Sequence, residues 1–155
     1  MSFEKENFLR SDLVTIFQKL DPATKPAWGK MNVHQMIEHF ADAVMSASGK
    51  LKLPVINEGE KLNKFRQFLM SEKPFFPNTK NPLMNEEPLP TRCNTVQASI
   101  SKLKEELICF FDVFEKNPGL ITSNPFFGEL NFEGNIQLLY KHAFHHLRQF
   151  GAEPM

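Results

Sequence analysis

Residues 131–151 read NFEGNIQLLYKHAFHHLRQFG. Asn131 is a good N-cap, because its short side chain accepts a hydrogen bond from a main-chain amide of the first turn. Gly151 is a good stop, since glycine enters the left-handed conformation that ends many helices. Between them Ile136, Leu139, Ala143, His146 and Phe150 recur at steps of three and four, the period of one helix face. The stretch therefore predicts a long helix ending at about Phe150. His142 lies beside the stripe, and at ~100° per residue it is about 40° from His146 around the axis. Both look toward the interior, one turn apart. Two imidazoles spaced in this way on one helix can reach one metal ion, as in HExxH sites. His145 is about 100° from His146 and points elsewhere.

Outward from this helix, four more stretches carry the helical period and none carries convincing strand alternation. Val96, Ile100, Leu103, Leu107, Phe110 and Phe114 hold it for five turns, with Asn94 and Gln97 as the start signal and Asn117-Pro118-Gly119 as the end. The intervening ITSNPFFGEL reads as a loop. Asn32 with Gln35 forms a capping-box pair for a helix whose apolar stripe is Val33, Met36, Phe40, Ala43 and Ala47, with Gly49 as its stop. Leu9, Leu13, Ile16 and Leu20 place a first helix over roughly 5–20, closed by Asp21-Pro22. A shorter helix is expected near 58–71, where Leu62, Phe65 and Leu69 share a face. Residues 51–90 hold six of the eleven prolines. Much of that stretch is too rich in proline for a helix interior and reads as a long connection. Four long helices without strands point to a four-helix bundle within a single domain over 1–155, the extra helix belonging to the connection.

The composition agrees with an ordinary globular chain. At 41% hydrophobic and 23% charged, 155 residues suffice for a core without disulfides. Sixteen phenylalanines against one tyrosine and one tryptophan predict a Phe-rich core. Lys plus Arg equals Asp plus Glu, 18 each, so the total shows no basic footprint for nucleic acid, and none is expected as a partner. MSFEKENFLR has no apolar signal region, and no apolar run approaches the ~20 residues of a membrane span. Cys93 and Cys109 form no CxxC pair. These features point to the cytoplasm, with no membrane partner. Cys109, beside Leu107 and Phe110-Phe111, reads as a core residue, and Cys93 as structural.

A third histidine completes the pattern. His39 follows Met36 by three residues and precedes Ala43 by four, at the edge of the stripe of its helix. His34 points more outward. Bundle sites are commonly built from inward side chains of facing helices, so His39 is the one expected to face His142 and His146. Gln35, Glu38 and Asp42 lie near it, as hydrogen-bond partners for a ligand imidazole or as solvated helix residues. On spacing alone, the histidines also fit ordinary hydrogen-bonded core or surface positions.

Two segments, PAWGKMNVHQMIEHFADA (residues 26–43) and NPFFGELNFEGNIQLLYKHAFHHLRQFG (residues 124–151), resemble a bacterial branch of the DinB/YfiT-like superfamily. That branch has a WGKM lead into a helix carrying QMxxH, and an FGxL loop followed by KHxxHHLRQFG. The resemblance implies a four-helix bundle with long crossover connections. It also implies a metal site of one His from the second helix and two from the last, here His39, His142 and His146. The implied ion is a divalent transition metal such as Zn, Ni, Mn or Fe, among which three imidazoles do not choose. Some relatives in the superfamily are S-transferases or isomerases using a low-molecular-weight thiol such as bacillithiol or mycothiol.

Three functions follow as expectations. One is a metal-dependent enzyme that activates a thiol or water against a small electrophile, as an S-transferase or hydrolase, with the Pro-rich 72–92 segment, Trp28 and Phe126–Gly128 around the pocket. The second is a non-catalytic bundle, as a homodimer or alone, with a structural or empty histidine site. Phe side chains filling the space beside the histidines would be its sign. The third is a small-ligand carrier or sensor. Fold membership alone does not choose among them.

Overall fold

Helix starts set the architecture. A computed structural model describes residues 2–77 and 87–154. The Asn32 side chain accepts from the Gln35 amide at 2.7 Å, and the Gln35 side chain accepts from the Asn32 amide at 2.9 Å. This reciprocal pair is a complete capping box, and α3 runs from it over Val33–Ala47. Gly49 stands at φ +85° just past the end, where a side chain would be strained. The last helix, α6, covers Phe132–Gln149 and is capped by Asn131, which accepts from the Gly134 amide at 2.9 Å. Gly151, at φ +69°, follows it.

The first helical stretch is interrupted. α1 (Ser2–Asn7) passes through a π-helical turn (Phe8–Asp12) into α2 (Leu13–Lys19). The Leu13 amide donates to the Phe8 carbonyl, five residues back. The wider turn favours steps of four along the face. Phe8, Leu9, Leu13 and Phe17 are therefore the buried set. Ile16 and Leu20, expected on that face, are only half-buried against the core. α5 covers Val96–Lys116, and its cap is Thr95, whose hydroxyl accepts from the Ala98 amide at 3.0 Å. Asn94, expected as the start, lies one residue outside. The shorter α4 covers Gly59–Met70, close to its expected place.

α3 packs along α5, both α1 and α3 pack on α6, and α2 packs on α5. The core between them is rich in phenylalanine, as expected: Phe8, Phe17, Phe40, Phe110, Phe111, Phe114 and Phe150 are all buried there. Phe17 and Phe40 meet edge to face at 6.0 Å between centroids, a geometry that adds ~0.5–1.5 kcal/mol beyond burial. The described residues are thus mostly helical, and no helix among them is long and apolar enough to cross a membrane.

ITSNPFFGEL is more ordered than a plain loop. β1 (Thr122–Asn124) and β2 (Gly128–Leu130) form an antiparallel hairpin with Thr122 opposite Leu130. The Asn124 side chain accepts from the amides of Phe126 and Phe127, closing the turn. A strand of three residues is too short to show alternation, so the sequence carries no signal of it. Leu69 of α4 packs with Phe127, Leu130 and Leu138 as a second cluster. A buried chain ties this hairpin to two helices: Asn135 of α6 donates to the Thr122 hydroxyl at 2.9 Å, which donates to the Ala47 carbonyl at 2.9 Å. Much of the Pro-rich connection expected at 72–92, residues 78–86, lies outside the described residues.

Candidate metal centre

α3 and α6 bring together the three histidines that spacing selected. Ring centroids lie 5.1 Å apart for His39–His142, 5.1 Å for His39–His146 and 4.6 Å for His142–His146. One nitrogen from each falls within 4.8 Å of the other two. The Nε2 atoms of His39 and His142 are 3.1 Å apart. His146 is buried, while His39 and His142 are partly buried. Their neighbours explain the placement: Met36, Phe40, Ala143 and Leu147 on the same helices are buried in the core and turn these faces inward.

Burial keeps all three imidazoles neutral. It pushes His39 down to about 4, with Asp42 acting in the other direction and His145 adding to the fall. His142 and His146 are held well below the ordinary histidine value, first by burial and then by the neighbouring histidines. A ligating imidazole must be neutral, so the electrostatics suit coordination. The Nε2 of His146 is buried with no hydrogen-bond partner among the described residues, although buried polar atoms are usually paired. With metal–nitrogen bonds of ~2.0–2.1 Å, adjacent donors in octahedral or tetrahedral sites stand roughly 2.9–3.4 Å apart. The 3.1 Å pair falls inside that range. The residues therefore fit a divalent transition ion.

Around the triad, partners differ from those expected. His146 Nδ1 meets Gln149 Oε1 at 2.8 Å, and Gln149 is buried. Sequence reasoning passed over Gln149, though it stands one turn after His146, the separation at which helix side chains meet. Glu38 is not a solvated helix residue. It is buried, and its carboxylate accepts from the amides of Arg92 and Cys93, both at 2.8 Å, and from the Ser99 hydroxyl at 2.9 Å. Burial alone would raise its pKa, but these bonds and the Arg92 guanidinium bring it down to about 2. Asp42 makes a two-pronged pair with Arg92 at 2.9 and 3.2 Å. Gln35 donates to the Leu89 carbonyl at 3.1 Å. These contacts lay residues 89–93 along α3 beside His39.

His34 turns to α5, where its Nε2 meets the Ser99 hydroxyl at 2.8 Å. His145, half-buried, stands outside the triad, with its ring 5.2 Å from Trp28 and 6.4 Å from Phe75. Its Nδ1 is buried without a hydrogen-bond partner among the described residues. Cys109 is exposed rather than in the core, with Lys50 Nζ 4.0 Å from its sulfur. Cys93 is half-buried in the segment just before the Thr95 cap of α5.

Space beside the triad is small. A cavity of about 40 Å³ touches His39 and is lined by Met31, Gln35, Asp42, Leu89 and Arg92 among others. It has room for water-sized molecules. A larger cavity, about 170 Å³, lies on another face of α6 between Tyr140, Lys141, Phe144 and Arg148, and none of the triad lines it. Phe40 covers one side of His142, with its ring 5.3 Å away. In comparisons with known proteins, no family model and no curated protein matches the chain.

Proposed function

We propose that the chain is a metal-dependent enzyme of the DinB-like superfamily, one four-helix-bundle domain over 1–155, that activates a thiol or water for attack on a small electrophile. The observation that carries this reading is the meeting of His39, His142 and His146 nitrogens within 4.8 Å, with His146 Nε2 buried and unpaired. His39, His142 and His146 would hold a divalent transition ion such as Zn, Ni, Mn or Fe. A three-histidine ion leaves coordination positions open and, when bound, favours the deprotonated form of a thiol or water.

The chain's own residues supply the setting. α3 and α6 hold the imidazoles neutral by burial, so their lone pairs are available at ordinary pH. Phe40 and the core beneath exclude water from one side of His142. Among the described residues, space lies toward Gln35, Asp42 and Leu89, the side from which water or a reacting atom of a substrate would reach the ion. Residues 89–93, tied to Gln35, Glu38 and Asp42, border that route.

The test is a screen of metal-loaded protein with low-molecular-weight thiols, bacillithiol and mycothiol included, against chromogenic aryl halides and epoxides. Turnover that disappears in His142→Ala and survives in His145→Ala supports the reading. A metal-loaded protein that turns over none of these, nor hydrolyses activated esters or amides, contradicts it.

A second reading is favoured by the tight space at the site. A cavity of about 40 Å³ beside His39 suits a closed centre in a non-catalytic bundle, with the ion serving stability. A chain that binds metal and gains stability from it, without turnover, fits that reading.

A further inference from the structure

The histidine centre is joined to the Trp28–Gly29 turn by a single buried amide. Gln149 Nε2 donates to the Trp28 carbonyl at 2.9 Å, and Gln149 Oε1 stands 2.8 Å from His146 Nδ1. The Gln149 main chain is clamped as well, because its carbonyl accepts from the Ala27 amide at 2.7 Å. Gly29 has φ +75°, and a Cβ placed there would lie 3.3 Å from Gln149 Nε2. The turn therefore closes on the amide: a side chain at Gly29 would push it by a few tenths of an ångström and would be strained at that φ.

The order of donors follows from chemistry. A carbonyl only accepts, so the Gln149 NH₂ must be the end that faces Trp28. Its oxygen then faces His146, and a bond to that oxygen requires a hydrogen on Nδ1. A neutral imidazole carries one N–H. Nε2 is thus left with its lone pair, and that atom is the buried, unpartnered one. Gln149 is 3% exposed, so water does not compete for its oxygen.

We propose that Gln149 is a positioning residue of the histidine centre, fixing the His146 hydrogen on Nδ1 so that Nε2 is held as a metal-ready acceptor. This rests on the metal-centre reading above. It gives the WGKM turn a role through Gln149. Outer partners of this kind orient ligating histidines, and their loss typically weakens metal binding 10–100-fold.

The experiment uses the full chain with ¹⁵N-labelled histidine, first free of metal and then titrated with Zn²⁺ against a competing chelator. Wild type should show His146 protonated at Nδ1 and not at Nε2. Gln149→Leu should lose that tautomer and bind Zn²⁺ roughly 10–100-fold more weakly. Gln149→Glu keeps an acceptor for Nδ1 but sets a carboxylate oxygen against the Trp28 carbonyl, so it should keep the tautomer while releasing the turn, and it provides the comparison if the leucine variant does not fold. Gly29→Ala should move toward Gln149→Leu in both readouts. Hydrogen on Nε2 of His146 in the wild type overturns the proposal. So does a Gln149→Leu protein with unchanged imidazole signals and unchanged Zn²⁺ affinity. Failure of the wild type to bind Zn²⁺ would remove the metal reading separately, because the metal-free spectrum still decides the tautomer.

Discussion

The Nε2 atoms of His39 and His142 face each other at 3.1 Å across 103 residues of sequence. Two neutral imidazoles at that distance share one hydrogen, so one donates and the other accepts. The nearby His146 Nε2 has no hydrogen-bond partner among the described residues. Three nitrogens in this space thus have one hydrogen bond among them, and an ion would satisfy all three.

Acid should unfold the metal-free protein early. His39 is held at about 4 against an ordinary 6.5, and His142 and His146 are displaced in the same direction. Between those values the unfolded chain binds more protons than the folded one, so stability rises with pH across the window and falls as pH drops from 6.5 toward 4. Each such histidine contributes up to about 1.4 kcal/mol per pH unit. Denaturant melts of metal-free protein at pH 7 and pH 5 should show a clear loss at pH 5. Equal stability at the two values would contradict neutral, buried histidines.

Glu38 should act in a lower window. Its folded value of about 2 lies below the reference 4.5, so its contribution is complete above 4.5 and is lost as pH falls toward 2. Glu38→Gln leaves one of the Arg92 and Cys93 amides without a good acceptor and removes a buried charge. A cost of roughly 2–3 kcal/mol at pH 7 is expected. The gap between variant and wild type should shrink below pH 4.5, which melts at pH 7 and pH 3 would reveal.

Thr95, and not Asn94, should be the residue that starts α5. Thr95→Ala is expected to cost about 1 kcal/mol by removing the bond from the Ala98 amide. Asn94→Ala, at an exposed position before the cap, should stay within ~0.5 kcal/mol of wild type. The reverse order would place the helix start one residue earlier.

Much of this was legible because the period of a helix writes burial into the sequence. The stripes from Val33 to Ala47 and from Ile100 to Phe114, the caps at Asn32 and Asn131 and the inward turn of His39, His142 and His146 all follow from steps of three and four. The remainder depends on contacts that no local period encodes. The π turn moved Phe17 inward in place of Ile16 through one wider hydrogen-bonded ring. The hairpin at 122–130 has strands too short to alternate, and its turn is made by the Asn124 side chain. Glu38 looked like a surface acid because its partners, Arg92, Cys93 and Ser99, lie more than fifty residues away. Cys109 was misplaced by its apolar neighbours. At ~100° per residue it is about 200° from Leu107, on the far side of α5. Gln149 carried a readable signal, the three-residue step from His146, but glutamine in a final helical turn has no distinctive pattern.

The most direct test of the central claim is the metal content of untagged protein by elemental mass spectrometry, wild type beside His142→Ala and His145→Ala. One transition ion per chain in the wild type and in His145→Ala, and none in His142→Ala, is the expected result. No bound ion in the wild type after loading with Zn, Ni or Mn would contradict a metal centre at His39, His142 and His146, as would equal retention in His142→Ala.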